Sequence, residues 1–199
     1  MVSCIVLAAG ASSRFGSPKP LARLHSRPLI SFLSEQLLKT QMREILVVLG
    51  ADADAIRPCV CSDPRIKCIF NENFSRGQTS SFKKGLTAVS ADTEGVLLLP
   101  ADTPFVLPET IDTIVETFLK NPSPILVPTY KGRWGHPPVF SKTLFAEFAK
   151  LSDEAPLSTV QQIHTSEILK LPVRDEGVVL SFNTPLEFEK IRNRSSLGG

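Results

Sequence analysis

Between Leu7 and Leu21 the chain reads LAAGASSRFGSPKPL, a stretch that concentrates the groups needed to hold an anion. Gly10 and Gly16 permit positive φ and a close backbone approach, so successive amides can turn toward one centre. Ser12 and Ser13 add hydroxyl donors, while Arg14 and Lys19 add fixed positive charge. The chemistry this composition suits is retention of a polyphosphate. A glycine- and serine-rich loop with two basic residues also occurs on ordinary solvated surfaces, and composition alone leaves both readings open. Spacing excludes two common phosphate loops. Gly10 and Gly16 stand six positions apart with Ser17, not lysine, after the second, so GxxxxGK is absent, as is GxGxxG.

Further along, the apolar run GVLLLP ends in Ala101 and Asp102. A carboxylate at the carboxyl end of a buried strand can place an oxygen on Mg²⁺ beside a triphosphate, although a lone Asp there also serves as a turn cap. Gly77 stands at the head of a helix with Thr79, Ser80 and Ser81, whose hydroxyls and unpaired amides suit an anion or the polar edge of a base. A plain N-cap explains them equally. His136 lies in YKGRWGHPPVF, where Lys131, Gly132 and Arg133 read as a turn before extended structure resumes at Pro138. His25 and His164 have no motif around them and read as surface or capping groups. Cys4, Cys59, Cys61 and Cys68 form no CxxC pair, so they are expected as reduced thiols without zinc.

The elements that must position these groups follow from periodicity. Apolar, β-branched runs at Ser3 to Leu7, Glu44 to Gly50, Ile66 to Phe70, Gly95 to Pro100, Ile125 to Pro128 and Ile168 to Val173 read as strands. Between them, helical spacing marks PLISFLSEQLLKTQ from Pro28, a short helix at Ala53 to Val60, and helices at Thr79 to Ala88, Pro108 to Leu119 and Leu157 to Ile163. Alternation of strand and helix implies right-handed crossovers and an α/β fold: a three-layer α/β/α, Rossmann-like architecture on a mostly parallel sheet. The anion loop would then leave the carboxyl edge of that sheet, where open α/β folds bind ligands. One domain over residues 1–192, with 193–199 as a disordered tail, accounts for the length of 199.

Lysine and arginine total 22 against 20 aspartate and glutamate, and the basic residues are scattered, so no nucleic-acid surface is expected. No apolar run approaches a membrane span, and MVSCIVLAAG lacks a charged leader, which points to a cytoplasmic protein.

The pattern LAAGxSxRxGxxKxL resembles the signature loop of nucleotidyltransferases of the glycosyltransferase-A type, in the branch that includes molybdenum cofactor cytidylyltransferase and guanylyltransferase. LPADTP, from Leu99 to Pro104, resembles that family's LPxDxP metal motif, and NENFSRGQTSSFKKGL resembles its base- and ribose-side segment. The resemblance runs from about Val2 to Ile191. It implies a nucleoside triphosphate, CTP or GTP, held by Leu7, Ala8, Ala9, Gly10, Ser12, Ser13, Arg14, Gly16, Lys19, Asn71, Gly77, Ser80 and Ser81. It implies Mg²⁺ on Asp102 and Asn183, with Arg14, Lys19 and Asp102 as the catalytic set. Arg133 and His136 would contact the acceptor, molybdopterin or another phosphorylated small molecule, with a molybdoenzyme as a further partner.

The family's GDxGAR segment is reduced to Asp153 in LSDEAPLS, and its terminal DxDTP becomes SFNTP, with Ser181 and Asn183 in place of the acids. Ala9 sits where cytidylyl relatives carry alanine and guanylyl relatives glycine, which leans toward CTP. SFNTP leans toward the guanylyl branch. A rival reading from another class is a nucleotide-binding or regulatory protein that kept the loop without turnover.

Overall fold

The structure, a computed structural model, describes residues 1–195; the tail expected over 193–199 lies outside the described residues from 196 onward. The chain forms β1 (Val2–Ala8), a two-strand ribbon of β2 (Arg23–Leu24) and β3 (Arg27–Pro28), and α1 (Leu29–Leu38). Next come β4 (Ile45–Leu49), α2 (Ala53–Ile56), β5 (Ile66–Phe70), α3 (Gln78–Leu86), β6 (Gly95–Pro100) and α4 (Pro108–Lys120). The last third contains β7 (Ile125–Tyr130), β8 (Arg133–Trp134), β9 (Val139–Ser141), α5 (Phe145–Lys150), α6 (Ser158–Ile163), β10 (Ile168–Pro172) and α7 (Pro185–Ser195).

The sheet runs β10-β7-β9-β6-β1-β4-β5, and β1, β4, β5 and β6 pair in parallel. This bears out the expected mostly parallel α/β sheet. Its central strands β1, β4 and β6 are buried on both faces, which is why they read as continuous apolar runs rather than alternating ones. Helices α1 and α4 cover one face through Ile30, Leu33, Leu37, Ile111, Ile114 and Phe118. On the other face α3, α5 and α6 pack through Phe82, Phe148 and Val160.

One strand departs from the parallel rule. β9 lies antiparallel between β6 and β7, and its Phe140 ring packs within 5.0 Å of Phe148 and 5.8 Å of Phe82. The return that creates it is a two-residue turn at Lys131 and Gly132, both with positive φ, which suits the right-handed twist of a hairpin. Arg133, expected in the turn, is therefore the first residue of β8, paired with Tyr130. Pro58 ends the regular part of α2 early, and α5 has no counterpart among the elements expected from periodicity. Among the described residues no helix is long and apolar enough to cross a membrane.

At the amino end of the sheet Glu44 is 3% exposed and accepts hydrogen bonds from Ser3 Oγ, Ser90 N, Ser90 Oγ and Lys67 Nζ. Burial alone would raise its carboxyl pKa, but these donors favour the ionised form and lower it from 4.5 to about 2. A depressed carboxyl contributes stability above its unfolded pKa and loses it as pH falls through the folded value. Glu44→Gln should thus cost on the order of 2 to 3 kcal/mol at neutral pH. In urea melts that deficit should shrink as pH falls from 4.5 toward 2; a deficit independent of pH would show that packing, not charge, holds this corner together.

Candidate functional site

Strand β1 has β4 on one side and β6 on the other, and the chain leaves it first toward β4, returning to its second flank only at β6. Strands whose crossovers run apart leave a crevice at their carboxyl ends, and here that crevice lies between β1 and β6. Leu7 is in register with Pro100, and Ala101 N donates to Leu7 O at 3.1 Å. The glycine-rich loop and Asp102 therefore leave the sheet side by side, though 83 residues separate Lys19 from Asp102 in the chain.

Above this edge is a cleft of about 600 Å³. One wall is the loop from Leu7 to Arg14 with Lys19; the floor is Pro100, Ala101 and Asp102; Phe74, Ser75, Gly77, Gln78 and Ser81 close the side toward α3. Within the loop, Ser12 takes φ +52° and its carbonyl accepts from Phe15 N and Gly16 N, a turn beside the cleft in which Gly10, Ala11, Ser13 and Arg14 are exposed. Gly16 has φ +79°, the left-handed conformation that glycine adopts without cost. Ser12 Oγ accepts from Lys19 N at 3.0 Å, fixing where the lysine side chain starts.

Lys19 is not a solvated loop cation. Its side chain is 15% exposed, and its ammonium donates to Asp102 Oδ2 at 2.9 Å, Phe182 O at 2.9 Å and Asn183 Oδ1 at 3.0 Å. Arg14 Nη2 donates to the same Asn183 oxygen at 3.1 Å. Asn183 is brought here by a capping box at the start of α7: Thr184 N donates to Glu187 Oε2, Glu187 N to Thr184 Oγ1, and Pro185 opens the helix. Asn183 N also donates to Glu187 Oε2 at 2.6 Å, and these backbone bonds hold the Glu187 carboxyl below its usual pKa. Beneath, Phe182 and Phe188 pack with Phe15, Leu24 and Leu29, anchoring α7 under the loop.

Arg14, Lys19, Asp102 and Asn183 thus meet in one place. Asn71 and Ser80 do not join them. Asn71 is 2% exposed and donates to Ser80 Oγ and Ser81 Oγ, while Ser80 donates to Asn73 O and Gly77 O. These bonds build the wall behind Gly77 rather than its surface. Arg133 is exposed on β8 and does not line the cleft. His136 does not line it either, but it lies in the field of Asp102. Burial pushes its imidazole pKa down, with Asp102 opposing, and Nδ1 has no hydrogen-bond partner. Asp153 is 14% exposed and pairs with Arg76 and Lys83, tying the loop before α6 to the wall formed by Ser75 and Gly77.

Phe74, Ser75 and Gln78 enter the cleft without having been singled out by type. Their signal was positional: all lie beside Gly77, within NENFSRGQTSSFKKGL. Gly50 fixes this corner, because a Cβ there would meet Phe74 Cβ at 2.4 Å and Ala9 O at 2.8 Å.

Asp102 Oδ2, Asn183 Oδ1 and Phe182 O are hard oxygens around one positive centre, a donor set that fits Mg²⁺ or Mn²⁺. No group of three or more His, Cys, Asp or Glu could hold a metal among the described residues, so an ion here would take further ligands from water and phosphate.

A family model described as the MobA-like NTP transferase domain matches residues 4–168. The molybdenum cofactor cytidylyltransferase of Escherichia coli is 25% identical over 194 residues, covering 97% of this chain and 96% of that protein. A probable molybdenum cofactor guanylyltransferase of Thermococcus sibiricus is 25% identical over 200 residues, covering 94% and 96%. The bifunctional protein GlmU of Mycobacterium ulcerans is 32% identical over 132 residues, and the chain spans only 27% of its length. Among solved structures, Rv0371c from Mycobacterium tuberculosis has a TM-score of 0.82 at 25% identity, covering 96% of this chain and 97% of that one; a further structure of Rv0371c contains manganese. With the family model spanning the loop after β1, the acid after β6 and the strands between them, the chain belongs to the MobA-like NTP transferase domain family and is a nucleotidyltransferase by that membership.

Proposed function

We propose that this chain transfers a nucleoside monophosphate, CMP from CTP, to the terminal phosphate of a molybdopterin-type acceptor, releasing pyrophosphate. The observation that carries the reading is the meeting of Lys19, Arg14, Asp102 and Asn183 at the joint carboxyl ends of β1 and β6. Two cations and a carboxylate there suit a triphosphate whose outer phosphates become the leaving group. Arg14 and Lys19 would hold the β and γ phosphates, where charge accumulates as pyrophosphate departs, and the loop would orient the α-phosphorus for in-line attack. When bound on Asp102 and Asn183, Mg²⁺ supplies neutralisation of phosphate charge. No protein nucleophile is needed, because the acceptor phosphate is largely ionised near pH 7.

The acceptor would approach from the β7 to β9 side, where burial holds the His136 imidazole below its usual pKa while the Asp102 charge opposes that shift. The cytidylyl and guanylyl relatives match equally well at 25%, so overall identity does not choose the base. Ala9 does favour one. It lines the cleft at 3% exposure, and Ala51 N holds its carbonyl at 3.0 Å, so its backbone cannot easily retreat from a larger base. A methyl group at such a place discriminates by a clash worth about 1 to 3 kcal/mol. CTP should therefore bind more tightly than GTP, and Ala9→Gly should narrow the difference by improving GTP. Titration calorimetry checks this; tight GTP and weak CTP binding by the unaltered protein would reverse the assignment of the base.

The overall reading is tested by pyrophosphate release with CTP and GTP, with and without molybdopterin. Release that requires CTP and molybdopterin is the expected result. Release with a different phosphorylated acceptor would keep the chemistry and replace the substrate, and nucleotide binding without release under any acceptor would favour a regulatory role.

A further inference from the structure

All three donors of the Lys19 ammonium are spent on the oxygens that suit a divalent cation: Asp102 Oδ2, Asn183 Oδ1 and the Phe182 carbonyl. The group is largely withdrawn from solvent, and its approach to the Phe182 ring, 5.5 Å from the centroid, adds a further favourable contact at the same spot. An ammonium and a divalent ion cannot share these ligands, since like charges a few ångströms apart repel strongly in a partly desolvated site.

We infer that Lys19 is a resident counter-cation: its ammonium occupies the metal position in the nucleotide-free protein and is exchanged for the metal when a triphosphate offers it new oxygens. This rests on the assignment of Asp102 and Asn183 as metal ligands. Without nucleotide, a metal ion must displace an ammonium already paired with the Asp102 carboxylate, so metal binding alone is weak. A triphosphate supplies another anion. The lysine moves from the carboxylate to phosphate, and the metal enters in its place, so the ion and the nucleotide bind as a pair. The same movement releases Phe182 O and Asn183 from Lys19, leaving the start of α7 held by its capping box and by Phe15 and Phe188.

The consequence is an inversion of sign. Lys19→Met should weaken binding of the triphosphate, yet strengthen binding of Mn²⁺ to the nucleotide-free protein by about tenfold or more. Electron paramagnetic resonance of free against bound Mn²⁺ reads this directly, with Lys19→Arg, which keeps a cation in reach, expected to stay as weak as the unaltered protein. In the unaltered protein itself, acetylation of Lys19 followed by mass spectrometry should be slow and should accelerate as Mn²⁺ alone is raised to saturation, which needs no variant to fold. Unchanged or weaker Mn²⁺ binding by Lys19→Met, or labelling of Lys19 that ignores Mn²⁺, would overturn the exchange while leaving the metal site in place. Mn²⁺ binding that survives Asp102→Asn, both with Lys19 present and in combination with Lys19→Met, would instead remove the metal assignment, and the exchange with it.

Discussion

Replacing Asp102 by alanine is expected to lower the rate of nucleotidyl transfer by a factor on the order of 10² or more while the protein remains folded. The expectation follows from where the carboxylate sits. Its side chain is 27% exposed at the rim of the sheet, outside the apolar clusters, so the variant forfeits little packing. What it does lose is the anion that the site's cations face. In the nucleotide-free protein the Lys19 ammonium then keeps two of its three acceptors, Phe182 O and Asn183 Oδ1, which holds α7 against the loop. Circular dichroism and a thermal melt should resemble the unaltered protein, and the defect should appear in single-turnover pyrophosphate release at saturating nucleotide. Full activity with an unchanged metal requirement would take Asp102 out of the site.

The second large effect is expected at Lys19. Lys19→Ala should weaken triphosphate binding by about 10- to 100-fold, in line with loss of one charge-assisted contact, and weaken monophosphate binding much less. A lysine that reaches only the outer phosphates has nothing to offer CMP. Titration of CTP and CMP against both proteins measures the difference, and equal loss for the two nucleotides would mean that the lysine does not face the β and γ phosphates. Unlike a lysine on a free surface loop, this one also carries stability. Its removal leaves the Asp102 carboxylate and the Phe182 carbonyl short of a donor, a cost of about 1 to 2 kcal/mol. Arg14→Ala should lose affinity with less destabilisation, because its bond to Asn183 is exposed.

Much of this is legible in the sequence, and the reason is local. The runs SCIVL, EILVVLG and GVLLLP are apolar throughout because β1, β4 and β6 are covered on both faces, so periodicity identified the buried centre of the sheet. The loop composition and the acid after β6 were equally visible, since both lie within a few residues of a strand end and depend on short-range order. Their residue types marked a glycine-rich basic loop and an acid at a sheet edge, while leaving the anion-holding and surface-loop readings both open. What spacing along the chain could not provide was the third dimension of the site.

The adjacency of Ala101 and Leu7 is a product of strand order, and so is the meeting of Lys19 with Asp102 and Asn183, which lie 83 and 164 residues further along. Strand order depends on crossovers that bury helix faces, a property of the whole sheet. Extended structure from Pro138 was visible in the sequence, but the antiparallel place of β9 was not: it is set by Phe140 packing on Phe82 and Phe148 from two helices. Sequence did not show that Asn71 and Ser80 brace the wall beside Gly77, because a polar side chain that lines a cleft and one that braces the wall behind it look alike in sequence. Only burial separates them. The sequence alone determined the fold class and the places of the glycine-rich loop and the acid; the tertiary structure decided which polar groups face the cleft and where the lysine's charge goes, because long-range pairing and desolvation arise only once the sheet has closed around them.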